Sequence, residues 1–162
     1  KSPILVTAST GKVERVRGQG AALAIDYKCL DFVEEVKAFT KGKGVNVILD
    51  HIGGPYLPRN MKALSVGGRL VEIGVMGGPK AELNIALMMV KRQQISGSVL
   101  RPRPVAEKGE ISHTFADAVL PHLANRTIVP LVHEVYGLDD AAEAHRAMEA
   151  GSHFGKIVLQ VS

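Results

Sequence analysis

The sequence has little of several things. Cysteine occurs once in 162 residues, at Cys29, so no internal disulfide framework can form and a zinc site built from several thiolates is excluded. Such cysteine usage fits a reducing, cytoplasmic compartment. Tryptophan is absent and Phe plus Tyr number only 4 + 3 = 7, too few to build the stacking platforms of single-strand nucleic-acid binders. Charge of one sign is lacking too, since 20 Lys and Arg against 16 Asp and Glu leave +4. That mild excess suits small anions better than a DNA backbone. No apolar run approaches the ~20 residues of a membrane helix, and the start shows no signal-peptide layout. The chain opens at Lys1 on a strand-like run, which leads us to expect a truncated or processed polypeptide.

The short chemical signatures are missing as well. No G-x-G-x-x-G follows a strand; Gly18-Gln19-Gly20 precedes one and lacks the third glycine. Neither a Walker loop nor a G-x-S-x-G elbow occurs, and His51, His113, His122, His133, His145 and His153 form no H-x-x-x-H pair. No residue reads as an obligatory acid, base or nucleophile, so none is assigned a catalytic role and no metal is expected.

What is present is alternation. Strand-like runs at 3–8, 22–26, 45–50, 69–73 and 95–100 are separated by helical stretches at about 20-residue intervals, the pattern of a parallel sheet with crossover helices. The helix after Asp31 has an N-cap, Glu34 three residues on, and Phe32, Val36 and Phe39 on one face; Gly42 and Gly44 stop it. Leu57, Met61 and Leu64 have helical spacing, and Gly67-Gly68 closes that helix. Ile85–Arg92 reads as a helix. After Arg101-Pro102-Arg103-Pro104 the texture changes: a helix over 110–125 buries Ile111, Phe115, Ala118, Val119 and Leu123, a strand spans 129–135, Asp139 caps a helix ending at Gly151, and 156–161 is a last strand. A boundary near residue 125 divides two parts, of which 126–162 is too short to fold alone.

Ligands of doubly wound sheets sit at the carboxyl ends of the strands. Those ends are Ser9–Lys12, Asp26–Tyr27, Asp50–Gly54, Gly74–Gly78 and Ser98–Leu100, rich in Gly, Ser and Thr. An NAD-preferring site carries an acid after its second strand. Here Ser9 and Thr10 stand there with Lys12 behind them, a set that would welcome a 2′-phosphate through charge-assisted bonds. A solvated turn with an idle lysine is the plain alternative.

Taken in order, these segments resemble the carboxyl-terminal half of the zinc-free medium-chain dehydrogenase/reductases. The branch most similar is that of the NADPH:quinone oxidoreductases, zeta-crystallin-like and of the p53-inducible type. The resemblance rests on Val6-Thr7-Ala8, Gly20-Ala21-Ala22 running to Asp26-Tyr27, Asp31-Phe32, the stretch from Thr40 to Gly54, Gly67-Gly68-Arg69-Leu70, Gly74-Val75-Met76-Gly77-Gly78, Ala144–Ala150 and Gly155-Lys156-Ile157-Val158-Leu159. It runs over essentially the whole chain. It implies an α/β fold: residues 1–125 as a Rossmann-type doubly wound parallel sheet lacking its first strand and glycine loop, and 126–162 as a segment returning to a GroES-like catalytic domain. It implies NADPH, with Lys12 and Tyr27 near the 2′-phosphate, beside Ser9 and Thr10. Gly53, Gly74, Val75 and Met76 would run along the cofactor, Ser98, Val99 and Leu100 beside the nicotinamide, and Phe154 and Lys156 would close the cleft. Ser9 stands where relatives usually carry Gly, and Gly151 or a neighbour where some use an arginine for the 2′-phosphate. The implied reaction is hydride transfer from NADPH to a quinone or electron-poor enone. The implied assembly is a homodimer through the edge strand 95–100, without nucleic-acid or membrane partners. Two other classes stay open: a non-catalytic crystallin-like cofactor binder, and a methyltransferase-like domain suggested by Gly67-Gly68-Arg69-Leu70-Val71.

Overall fold

The computed structural model describes residues 2–161; Lys1, on which the sequence opens, and Ser162, at the end of the expected return segment, lie outside the described residues. Two compact units divide between Pro102 and Arg103, where the texture of the sequence changes.

The first unit holds strands β1 (Leu5–Ala8), β2 (Leu23–Asp26), β3 (Val45–Asp50), β4 (Leu64–Glu72) and β5 (Gln94–Gly97). Between them run helices α1 (Val13–Gly18), α2 (Phe32–Phe39), α3 (Leu57–Ala63) and α4 (Ile85–Lys91). Every pairing is parallel, in the groups β1-β2 and β3-β4-β5. Doubly wound sheets run in the order 3-2-1-4-5-6. Laid on that order, β2 and β1 take the third and second places, and β3, β4 and β5 take the last three. The first place, between β1 and β3, is filled by no described residue. The architecture is therefore the α/β, Rossmann-type parallel sheet lacking its first strand that the sequence implied.

The helices form where the sequence supplies their ends. Asp31 accepts the Val33 N–H at 2.8 Å as the N-cap of α2, and Thr40 closes it by donating to the Val36 carbonyl and accepting the Gly44 N–H. Phe32, Val33 and Val36 pack with Ile25 and Ala63, while Met61, Leu64 and Leu70 form a second cluster; Val45 and Ile48 of β3 touch both. Val33 takes the buried place expected of Phe39, which is exposed.

Leu64 opens β4 rather than ending a helix, and β4 starts five residues before Arg69. The cause is tertiary. Lys91 donates to the Leu64 and Lys62 carbonyls at 2.7 and 3.0 Å, and Gln93 to the Met61 carbonyl at 2.9 Å. These donors satisfy the orphan carbonyls at the end of α3, so the backbone can turn into strand at once. Burial, then the charge of Lys37, holds the Lys91 ammonium below its ordinary range.

The second unit contains α5 (Val105–Ala124), β6 (Val132–Gly137), α6 (Ala141–Ala150) and β7 (Lys156–Gln160), with β6 and β7 parallel around α6. Helix α5 starts five residues before the expected Glu110. Its expected buried side is open to solvent at Ile111 and Phe115 (42 and 57 % exposed). Strand β6 begins three residues later than expected. Asp140, not Asp139, is the N-cap of α6 and makes no side-chain cap bond, while Gly151 ends it in the left-handed conformation as expected. Strand β5 is also shorter than the 95–100 run, which leaves residues 98–100 as loop.

Full burial of Leu70 against full display of Leu49 sets a stability test. Leu70→Ala is expected to cost about 2–5 kcal/mol of unfolding free energy. Leu49→Ala, at 65 % exposure, should cost under about 0.5 kcal/mol. Urea melts of both variants, with equal costs as the contrary result, check the assignment of the core.

Candidate active site

Two neighbouring strand ends organise the carboxyl edge of the sheet. Asp50, the last residue of β3, is buried. Its Oδ1 accepts the Ile52 N–H at 2.8 Å; its Oδ2 accepts the Gly53 N–H at 3.2 Å and the Asn60 side-chain amide at 2.9 Å. Asn60 is itself buried and arrives on α3. One carboxylate thus fixes the loop 51–54 and ties it to a helix. That loop in turn holds the loop 74–78 after β4 through Met76 N–H to His51 C=O (3.0 Å), Gly77 N–H to Ile52 C=O (2.8 Å) and Gly54 N–H to Gly78 C=O (2.8 Å).

The glycines expected to approach a cofactor serve this loop-to-loop contact first. Gly53 has φ +83°, and a Cβ on it would lie 2.8 Å from the Gly78 carbonyl oxygen and 3.1 Å from the Val75 Cα. A Cβ on Gly74 would lie 3.0 Å from the His51 carbonyl oxygen.

Beside Asp50, in register, stands Glu72 at the end of β4. Its Oε2 is buried with no hydrogen-bond partner among the described residues. Burial, then the charge of Asp50, raises Glu72 above the ordinary carboxylate range. Sequence reading passed over Glu72 because the run Arg69–Ile73 reads as a plain strand. The signal lay in two strands that both end on an acid, Val-Ile-Leu-Asp and Arg-Leu-Val-Glu.

Ser9 and Thr10 follow β1, with Lys12 ending the short 3-10 turn Thr10–Lys12. Tyr27 follows β2, its N–H bonded to the Ala8 carbonyl at 3.2 Å, so it lies against the end of β1. The Thr10 hydroxyl hydrogen-bonds the Asp26 carboxylate and holds it below its ordinary range, with the Lys28 N–H assisting. Val75, Met76, Val99 and Leu100 are all exposed apolar side chains in the loops after β4 and β5. The Ser98 N–H bonds the Glu72 carbonyl at 2.9 Å, which fixes the start of the second of these loops. Phe154 and Lys156 belong to the second unit, at the entry to β7.

Comparison with known proteins decides the family. The family model described as zinc-binding dehydrogenase matches residues 19–159. The chain belongs to the medium-chain dehydrogenase/reductase family. A phenolphthiocerol/phthiocerol polyketide synthase of Mycobacterium tuberculosis is 28 % identical over 94 % of this chain and 7 % of its own length. The quinone oxidoreductase of Rattus norvegicus is 27 % identical over 96 % of this chain and 46 % of its own. Among solved structures, an NAD-dependent alcohol dehydrogenase is 31 % identical with a TM-score of 0.82, covering 99 % of this chain and 44 % of that one. A mycobacterial quinone oxidoreductase shares the fold at TM-score 0.82 and 24 % identity, covering 98 % of this chain and 49 % of its own. The chain spans less than half the length of each of these relatives.

The family is one of oxidoreductases, which removes the support for a methyltransferase-like domain. The family's descriptive name mentions zinc. Among the described residues no three His, Cys, Asp or Glu side chains come together as ligands, and Cys29 is exposed. The donor set described does not fit a zinc centre, and no chemical step is routed through one. The strand-end residues do fit a dinucleotide: a lysine after the second-place strand, hydrogen-bonded glycine loops along the edge, and apolar side chains beyond them. No helix among the described residues is long and apolar enough to cross a membrane.

If the glycine loops are locked as described, Gly53→Ala should cost more than about 1 kcal/mol, from φ strain together with the clash on the Gly78 carbonyl. Gly97→Ala, with nothing within 4 Å and no positive φ, should stay within about 0.5 kcal/mol of the parent. Thermal unfolding of the two variants side by side is the measurement.

Proposed function

We propose that the protein carrying this chain reduces a quinone or an α,β-unsaturated carbonyl compound with NADPH. The observation that carries this reading is the set at the strand ends: Lys12 and Tyr27 in the segments that follow the paired strands β1 and β2, and Val75, Met76, Val99 and Leu100 displayed in the loops after β4 and β5. A dinucleotide needs both kinds of surface, a cationic one for its phosphate and an apolar one for its nicotinamide. The dihydronicotinamide, when bound, supplies a hydride to the acceptor. The chain's own part is binding and orientation. Lys12 and the Ser9 hydroxyl take the 2′-phosphate beside Tyr27, Gly53 and Gly74 allow close backbone approach, and Ser98 with its apolar neighbours shields the nicotinamide from water. No side chain of this segment is assigned an acid or base role, and hydride transfer to a conjugated carbonyl needs little beyond positioning.

The rat relative's name supports a quinone acceptor, and an α,β-unsaturated carbonyl compound presents the same chemistry. Both are electron-poor conjugated carbonyls, so one site chemistry serves them. Phe154 and Lys156 are proposed to complete the cleft, with residues 126–162 as the segment returning to a GroES-like catalytic domain. Homodimer formation is proposed through the edge of β5, which pairs only with β4 among the described residues. Cytoplasmic residence is proposed from the lone Cys29.

In the complete protein, Lys12→Ala is expected to weaken NADPH binding by about 1.5–3 kcal/mol, the range for hydrogen bonds to charged groups, and to leave NADH binding nearly unchanged. Fluorescence titration with both cofactors tests this, and equal losses would refute the 2′-phosphate role. NADPH consumption with a quinone and with an enoyl thioester, assayed in parallel, separates the two acceptors. Failure with both favours a non-catalytic, crystallin-like binder.

A further inference from the structure

Asp50 and Glu72 end adjacent parallel strands in register. Asp50 spends both oxygens on the Ile52, Gly53 and Asn60 donors. Glu72 has a buried oxygen without a partner. Two ionised carboxylates at that spacing repel, and the stranded oxygen has lost its water; a single proton between them replaces the repulsion with a hydrogen bond. The groups facing Glu72 are few. Strand β3 presents Asp50, β5 presents Gly97 in register, and the loop ahead brings Gly74, against which His51 packs. Asp50 is the charge that acts on it.

The pair also stands at both roots of the locked loops. Asp50 carries the loop 51–54 on its carboxylate, and its carbonyl accepts the Ile73 N–H at 2.7 Å, one residue beyond Glu72. A force that parts the two side chains pulls on both ends of the closed ring of hydrogen bonds joining 51–54 to 74–78.

We propose that Glu72 and Asp50 share one proton and that this proton keeps the loops 51–54 and 74–78 locked, making Glu72 a positioning residue for the cofactor cleft. The link to the cleft rests on the function proposed above; the shared proton does not. On deprotonation the proton passes to water and no covalent bond other than O–H changes. Between the ordinary glutamate range and the raised folded one, the folded chain holds on Glu72 a proton that the unfolded chain has already released. The contribution of this proton to lock stability is therefore full below the ordinary glutamate range and is lost as pH rises through the raised range of folded Glu72.

The test is amide hydrogen exchange at Ile52, Gly53, Gly54, Met76 and Gly77 as a function of pH, corrected for intrinsic exchange. In the parent chain, protection is expected to fall by up to about tenfold per pH unit across that window, the slope for one linked proton. Glu72→Gln donates to Asp50 at every pH and should flatten the profile, whereas Glu72→Ala should lower protection throughout. The same slope in the parent and in Glu72→Gln overturns the proposal. Should Glu72→Gln fail to fold, the Glu72 carboxyl carbon signal in the parent decides. Titration above the ordinary glutamate range supports the shared proton, and titration within that range refutes it. Neither measurement needs cofactor, so a chain that fails to bind NADPH refutes the functional reading and leaves the proton pair to be judged separately.

Discussion

The Asp50 carboxylate is the constraint on which the rest of the carboxyl edge depends. A buried charge is costly unless its oxygens are hydrogen-bonded, and here three donors from the loop and from α3 meet it. Their convergence determines the course of the chain after β3. The loop cannot leave the strand end without stripping the carboxylate, and α3 cannot shift without withdrawing Asn60. The glycine loop after β4 then has a rigid template to bond against. Every candidate residue from Gly53 to Met76 inherits its place from that one side chain.

The lock explains why glycine recurs along this edge. Backbone packs on backbone across the two loops, and a side chain at Gly53 or Gly74 would enter a neighbouring peptide group. Sequence reading took these glycines as room for a ligand. The structure shows that they first make room for each other, and that the resulting flat edge is what a ligand would meet. A fold requirement and a binding requirement fall on the same positions, which is why residue types alone do not separate them.

The alternation of strands and helices was legible because its cause is local. Apolar runs set β3 to the residue at both ends, and Asp31 marked the start of α2 through a cap that needs only neighbours two residues away. The parallel pairing of the strands followed from the same alternation. What escaped was set at a distance. Leu57, Met61 and Leu64 keep helical spacing, but the donors that end α3 before Leu64 come from Lys91 and Gln93, about 30 residues on. Val33 displaced Phe39 because the partner surface, Ile25 and Ala63, meets that side of α2. The early start of α5 follows Pro104, whose fixed φ precedes a helix without any side-chain cap. The site was legible as a set of strand ends. The engagement of Thr10 by Asp26 and the pairing of Asp50 with Glu72 were not, because each joins residues brought together only by strand register.

Register also bears on the relation between cofactor preference and the sheet. Ala8 lies opposite Asp26, so the residue that would choose between cofactors sits at the end of one strand with a carboxylate at the end of the next. An acid at the second-place strand itself would receive a ribose hydroxyl and repel a 2′-phosphate. Placed one strand over and bonded to Thr10 and the Lys28 N–H, the same charge is directed into the protein's own loop and kept ionised there. On the function proposed above, Lys12 supplies the cation of this corner, and the local balance of charge, rather than the presence or absence of an acid, would set which cofactor the corner prefers. The mild net charge of the chain conveys nothing of this.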